Sequence, residues 1–210
     1  MNIAVFGAKG RVGSKAVELA QKRNHNVWQI DKNYEQNALA RVDAVINFAT
    51  AEAVNDVVQF CRKHNCPLIS GATGLNGGQL ALLDDLSKEV TVIQKSNFAE
   101  GVDMLYKLCQ TVSRELNWDC ALTETHRKGK KDTPSGTAKD LAAMIANNLG
   151  SFRSVETHSL RLGDNMGRHE VTFACNGESL TLIHQASSLD VFALGAIKAA
   201  EKTAYTNTHI

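Results

Sequence analysis

A chain of 210 residues with 43% hydrophobic and 21% charged residues can bury a sizeable core, so it is expected to fold as one large or two small globular domains. A formal net charge of +1 gives no overall attraction to nucleic acid or to a membrane surface, and both partner classes are set aside. Met1 to Gly13 show no basic leader before a long apolar run, which predicts a cytoplasmic protein with neither signal peptide nor membrane span.

The apolar run 2–6 ends in a glycine loop, and residues 13–22 then place Ala16, Val17, Leu19 and Ala20 at near-helical spacing. Runs 27–30 and 44–48 read as buried parallel strands. Across 52–64, Ala53, Val54, Val57, Val58 and Cys61 follow a helical pattern, and Pro67-Leu68-Ile69 leads into Gly71-Ala72-Thr73-Gly74. A helix over 79–88 and a strand over 90–93 continue the alternation, which predicts an α/β fold with a Rossmann-type doubly wound parallel sheet. After Asn97 the rhythm changes to a helix over 102–116, a strand over 121–125, a basic loop and a helix over 137–149. Runs 155–160, 169–174 and 179–184 are spaced like antiparallel strands, so a second α+β domain of mixed sheet is expected. An alanine-rich helix over 191–204 closes the chain. The division follows: residues 1–97 with 190–210 form the first domain, and 98–189 the second. The five cysteines are an odd set without Cys-x-x-Cys spacing, which predicts reduced thiols, no disulfide framework and no metal site.

Gly7-Ala8-Lys9-Gly10-Arg11-Val12-Gly13 falls between the first strand and the first helix, where a dinucleotide loop must be. Glycines there allow a tight turn and let a pyrophosphate approach the N–H groups of a helix start, whose partial positive charge favours an anion. Asp31 follows eighteen residues beyond Gly13, at the end of the second strand, where a carboxylate accepts hydrogen bonds from the adenosine ribose. That carboxylate favours NADH, and the adjacent Lys32 offsets its repulsion of the extra phosphate of NADPH. Gly71-Ala72-Thr73 and Lys95-Ser96-Asn97-Phe98 end two further predicted strands at the ligand-binding edge of such a sheet, and both are candidate cofactor contacts.

The richest segment runs from Glu124 to Ala138. His126 suits acid–base work near neutral pH, and Lys130 brings a countercharge or a proton. Arg127 suits a carboxylate, and Ser135-Gly136-Thr137 reads as a helix N-terminus that favours an anion. Composition leaves open a solvated basic turn ahead of a capped helix.

Glu124-x-His126, Lys130 and Asp132-x-Pro134-Ser135-Gly136-Thr137-Ala138 resemble the signature of the dihydrodipicolinate (4-hydroxy-tetrahydrodipicolinate) reductases. Family-like stretches run in order along nearly the whole chain, among them Asn47-Phe48-Ala49-Thr50, Asn97-Phe98, Arg161-x-Gly163, Gly167-x-His169 and His184-x-Ala186-Ser187-Ser188. The resemblance implies NADH- or NADPH-dependent reduction of a small cyclic dicarboxylate in lysine and diaminopimelate biosynthesis. It implies His126 as the acid–base residue, Lys130 as the proton donor, and Gly136 and Thr137 as carboxylate ligands. Gly7 to Val12, Asp31, Gly71 to Thr73 and Lys95 to Phe98 are implied as the cofactor site. A homotetramer built through the second domain's sheet is also implied, and the apolar alternation around Phe173 and Leu182 suits it. Two positions depart from the pattern: Arg127 stands where the family has a second histidine, and Leu189 where it has an arginine. These departures keep a second expectation open, a nucleotide-binding sensor with weakened catalysis. An amino-acid dehydrogenase on the same fold is a third.

Overall fold

The computed structural model describes residues 1–31, 41–150 and 154–207. In chain order the elements are β1 (Asn2–Phe6), α1 (Arg11–Lys22), β2 (Asn26–Ile30), β3 (Ala44–Asn47), α2 (Val54–His64), β4 (Leu68–Ser70), α3 (Gly77–Leu86) and β5 (Val92–Gln94). They continue with α4 (Glu100–Glu115), β6 (Asp119–His126), α5 (Gly136–Leu149), β7 (Glu156–Arg161), β8 (Arg168–Cys175), β9 (Glu178–Gln185) and α6 (Asp190–Asn207). Two compact units result, Met1–Ala99 with Leu189–Ile210, and Glu100–Ser188. Lys32 and most of the connection from Asp31 to Asp43 lie outside the described residues.

In the first unit a parallel sheet has the order β2-β1-β3-β4-β5. Alternate strand residues point to opposite faces, and both faces are covered. Ile3, Val5, Ile46 and Ile69 pack with Ala16, Val17 and Ala20 of α1 and with Ala193, Ala196, Ile197 and Ala200 of α6. Ala4, Phe6, Val45 and Leu68 pack with Val57, Val58 and Cys61 of α2 and with Leu83 and Leu86 of α3. Small residues on α6 allow a close approach, since a Cβ on Gly195 would overlap the carbonyl oxygen of Phe98. Helix α3 starts two residues before the predicted 79 because Asn76 and Gln79 form a reciprocal capping box, which overrides the start of the apolar pattern.

In the second unit a four-stranded sheet has the order β7-β6-β8-β9. The β6–β8 and β8–β9 pairs are antiparallel, but β7 pairs parallel to β6, against the antiparallel expectation for 155–160. Helix α5 lies between β6 and β7 in sequence and returns the chain to the starting end of the sheet, which makes a parallel crossover. Leu122, Val171 and Phe173 pack beneath Leu105 and Cys109 of α4 and Ala138, Leu141 and Ile145 of α5. Phe173 is fully buried in this core and Leu182 packs against it. The alternation assigned to assembly is therefore spent within the unit. The opposite sheet face carries Leu160 at 43% and Ile183 at 54% exposure. Among the described residues no helix is long and apolar enough to cross a membrane.

Candidate active site

Gly7 follows β1 with φ +71°, and a Cβ there would sit 2.7 Å from the Ala49 nitrogen after β3. A Cβ on Gly13 would overlap the Gly7 carbonyl oxygen, so both positions require glycine for the chain to turn this tightly into α1. The Gly10 N–H donates to the Gly7 carbonyl at 2.8 Å and closes the turn. Gly10 caps α1 without a side-chain hydrogen bond, and the first turn, which contains Arg11 and Val12, has no acidic residue. Such a helix start favours an anion. Lys9 Nζ stands 4.0 Å from the Asp31 carboxylate at the end of β2.

The loops after β4 and β5 fall at the same edge of this sheet as Gly7 to Val12, because all five strands run parallel. A Cβ on Gly71 would meet the Phe48 ring at 2.6 Å. Gln94 donates to the Ala72 carbonyl at 2.8 Å and holds the Gly71-Ala72-Thr73 loop beside the end of β5. Lys95 Nζ lies 5.9 Å from the centre of the Phe98 ring, and the Asn97 side chain accepts from the Ala99 N–H at 2.9 Å. Ser96 lies in the same turn. The tight glycine turn, the helix start without a side-chain cap and the carboxylate at the end of β2 together fit a dinucleotide.

The second cluster is built at the end of β6. Glu124 and His126 are two residues apart, so they share the helix-facing side of the strand. Register places Ser159 and Arg161 of β7 opposite Glu124 and His126, and His169 of β8 with His184 of β9 continues the row from Glu124. The Glu124 carboxylate meets His126 Nδ1 and accepts from Arg161 Nη2 at 2.8 Å and from the Ser135 N–H at 3.3 Å. Burial opposes charge on Glu124, yet the donors from Arg161 and His126 outweigh it and hold the carboxyl down at about 2.

Ser135 caps α5 by accepting from the Ala138 N–H at 3.3 Å, and Gly136 and Thr137 open the helix with no acid in its first turn. Lys130 pairs with Asp132 at 2.8 Å, and the Arg127 guanidinium folds over Gly129. Burial lowers the pKa of His126, partly opposed by Glu124, with Lys130 and Arg161 adding to the lowering. Burial pushes His169 down to about 3, so a neutral imidazole lies 5.3 Å, centre to centre, from the His126 ring.

The structure thus gathers His126, Lys130, Ser135, Gly136 and Thr137 around one strand end. Glu124, Asp132, Arg161 and His169 belong to the same cluster and were not among the sequence candidates. The i, i+2 spacing of Glu124 and His126 was a usable signal once a strand was expected there. Arg161 had none beyond a family-like motif, since its contact spans 37 residues and depends on the parallel β6–β7 register.

A doubly wound nucleotide-type sheet together with a charged acid–base cluster at a mixed-sheet strand end defines a two-unit nicotinamide-dependent oxidoreductase. Residues 1–98 match the model for the dihydrodipicolinate reductase N-terminus and residues 101–210 that for its C-terminus, so the chain belongs to this family. Reductases of this family use NADH or NADPH. The chain is 38% identical over 205 residues to the 4-hydroxy-tetrahydrodipicolinate reductase of Thermosipho africanus, covering 96% of this chain and 90% of that one. It is 35% identical over 230 residues to the Natronomonas pharaonis enzyme of the same name, covering 96% and 94%. The fold is similar to that of a dipicolinate-bound dihydrodipicolinate reductase from a Paenisporosarcina species, with TM-score 0.76 at 20% identity over 98% and 95% of the two chains. An aspartate dehydrogenase from Thermotoga maritima shares the fold more loosely, with TM-score 0.55 at 14% identity over 96% of each chain.

Proposed function

We propose that this protein reduces 4-hydroxy-tetrahydrodipicolinate to tetrahydrodipicolinate with NADH or NADPH, in the cytoplasm, as a step of lysine and diaminopimelate biosynthesis. The observation that carries the reading is the end of β6, where His126, Lys130 and the Ser135–Thr137 helix start converge within a chain of this family. The substrate loses water, and its conjugated imine takes up a hydride and a proton on neighbouring carbons while two carboxylates must be neutralised. When bound, the nicotinamide supplies the hydride.

In this reading Gly7 to Val12 hold the pyrophosphate, Asp31 the ribose, and Gly71 to Thr73 with Lys95 to Phe98 the nicotinamide half. Gly136 and Thr137 bind one substrate carboxylate through the α5 N-terminus, and Arg127 takes the other as a bidentate cation in place of the family's second histidine. Lys130 delivers the proton, and Asp132 holds its ammonium in place at 2.8 Å. His126 serves as the acid–base group. Assembly into a homotetramer through the open face of the second sheet is supported by exposed Leu160 and Ile183.

The test is oxidation of NADH and NADPH by purified protein, with substrate generated in place from pyruvate and aspartate semialdehyde by the preceding synthase. Substrate-dependent oxidation is expected with both nucleotides. Nucleotide binding without turnover would favour the sensor reading instead.

A further inference from the structure

Glu124 is 0% exposed, yet it takes donors from three segments: His126 on its own strand, Arg161 on β7, and the Ser135 N–H at the start of α5. The same Arg161 nitrogen donates to the Asp132 carbonyl at 2.6 Å and to Thr133 Oγ1 at 3.2 Å. A buried carboxylate is tolerated only when its charge is paired and its lone pairs are used, as they are here. An ionised carboxylate is acceptor-only, so the imidazole nitrogen it meets must be the donor. The neutral His126 ring therefore carries its proton on Nδ1 and leaves the Nε2 lone pair open. Nε2 has no protein partner among the described residues and is not among the buried atoms lacking one. Gly167 borders it, and a Cβ there would stand 3.1 Å from Nε2.

We infer that Glu124 is a positioning residue of the reaction: it fixes the Nδ1–H tautomer of His126, presents Nε2 as the proton-transferring atom, and ties the 132–135 turn to the same strand end. The inference rests on His126 as the acid–base group in the reductase reading. Without the carboxylate the ring can turn over or change tautomer, and the α5 start loses one of its anchors. The charged and titratable groups facing His126 are Glu124 on β6, Arg161 on β7, His169 on β8, and Lys130 and Asp132 on the loop after β6. Of these, only Glu124 both touches the ring and accepts its proton.

Glu124→Gln isolates the effect because it preserves volume. Its carbonyl oxygen can still accept from Ser135 and Arg161, but its amide nitrogen is a donor and turns Nδ1 into an acceptor, which moves the ring proton to Nε2. The expected outcome is a fall in kcat of about 100-fold with NADH affinity changed by no more than about twofold. The His126-dependent limb of the kcat/KM pH profile should move to lower pH, because the protonated ring loses its countercharge. A merely structural role would move neither the pH limb nor the tautomer, and an unchanged profile in a folded variant would overturn the inference. Ring-nitrogen NMR of the unaltered protein tests the same point without any variant: the Nδ1–H pattern is expected for His126, and an Nε2–H pattern contradicts the positioning role. Absent turnover in the unaltered protein would count against the substrate reading alone, since the ring spectrum needs no substrate.

Discussion

The parallel sheet of the first unit is covered on both faces, whereas the mixed sheet of the second is covered by helices on one face and leaves Leu160 and Ile183 exposed on the other. In the first, strand residues such as Val45 and Ile46 are consumed by packing, which leaves the loops at the strand ends as its candidate ligand contacts. In the second, the helix-facing side itself changes character along β6, from Leu122 in the core to Glu124 and His126 at the end. Backbone conformation shapes the candidate site of one unit, through Gly7 and Gly13. Buried charge shapes that of the other, through Glu124 and Arg161.

This contrast can be broken first at Lys130. Lys130→Ala is expected to reduce turnover by about 100-fold or more while leaving NADH affinity nearly intact, because it removes the proposed proton donor of the second unit and nothing from the first. Steady-state rates and fluorescence titration with NADH separate the two, and an equal loss of both would remove Lys130 from the role assigned to it. In the core of the same unit, Phe173→Ala should destabilise the fold by about 3–5 kcal/mol through loss of buried area and the cavity left behind, read as a lower denaturant midpoint.

The pH dependence sharpens the comparison further. His169 is neutral in the folded state, with its pKa pushed down to about 3 by burial and by His126, so unfolding below the ordinary histidine value of 6.5 takes up a proton. Stability from this group is complete above that value and falls by about 1.4 kcal/mol per pH unit as pH drops towards 3. The lowered pKa values of His126 and His184 act in the same direction, and Glu124, held at about 2, adds its own loss below 4.5. Urea melts across this range should show the slope, and His169→Gln should flatten it. The smallest expected effect lies in the first unit. Asp31→Ala should weaken NADH about tenfold and NADPH less, through loss of charged hydrogen bonds to the ribose, and equal affinity changes for both nucleotides would remove Asp31 from that site.

Much of this architecture could be read from residue order, because period and punctuation report directly on backbone geometry. Apolar runs ending in glycine identified β1 and its loop, and the change of rhythm after Asn97 marked the second unit. Strand direction was harder: a run such as 155–160 looks the same in either orientation, and only the returning helix α5 makes β7 parallel to β6. Phe173 and Leu182 show the matching difficulty, since alternation announces a buried face without naming what buries it. At the candidate site, His126 and Lys130 stand out by chemistry, and Glu124 by its place in the motif, without a role of its own. The pairing of Glu124 with Arg161 is hidden in the chain because isolated charges ordinarily read as solvated, and the sheet register brings these two together in a buried pair.

The most direct test of the central claim is to follow deuterium from NADH labelled at the reactive carbon of the nicotinamide ring during turnover with 4-hydroxy-tetrahydrodipicolinate. Label is expected in the tetrahydrodipicolinate formed, with loss of that transfer in step with turnover in Lys130→Ala. Product without label, or NADH oxidation that proceeds equally without substrate, would contradict it.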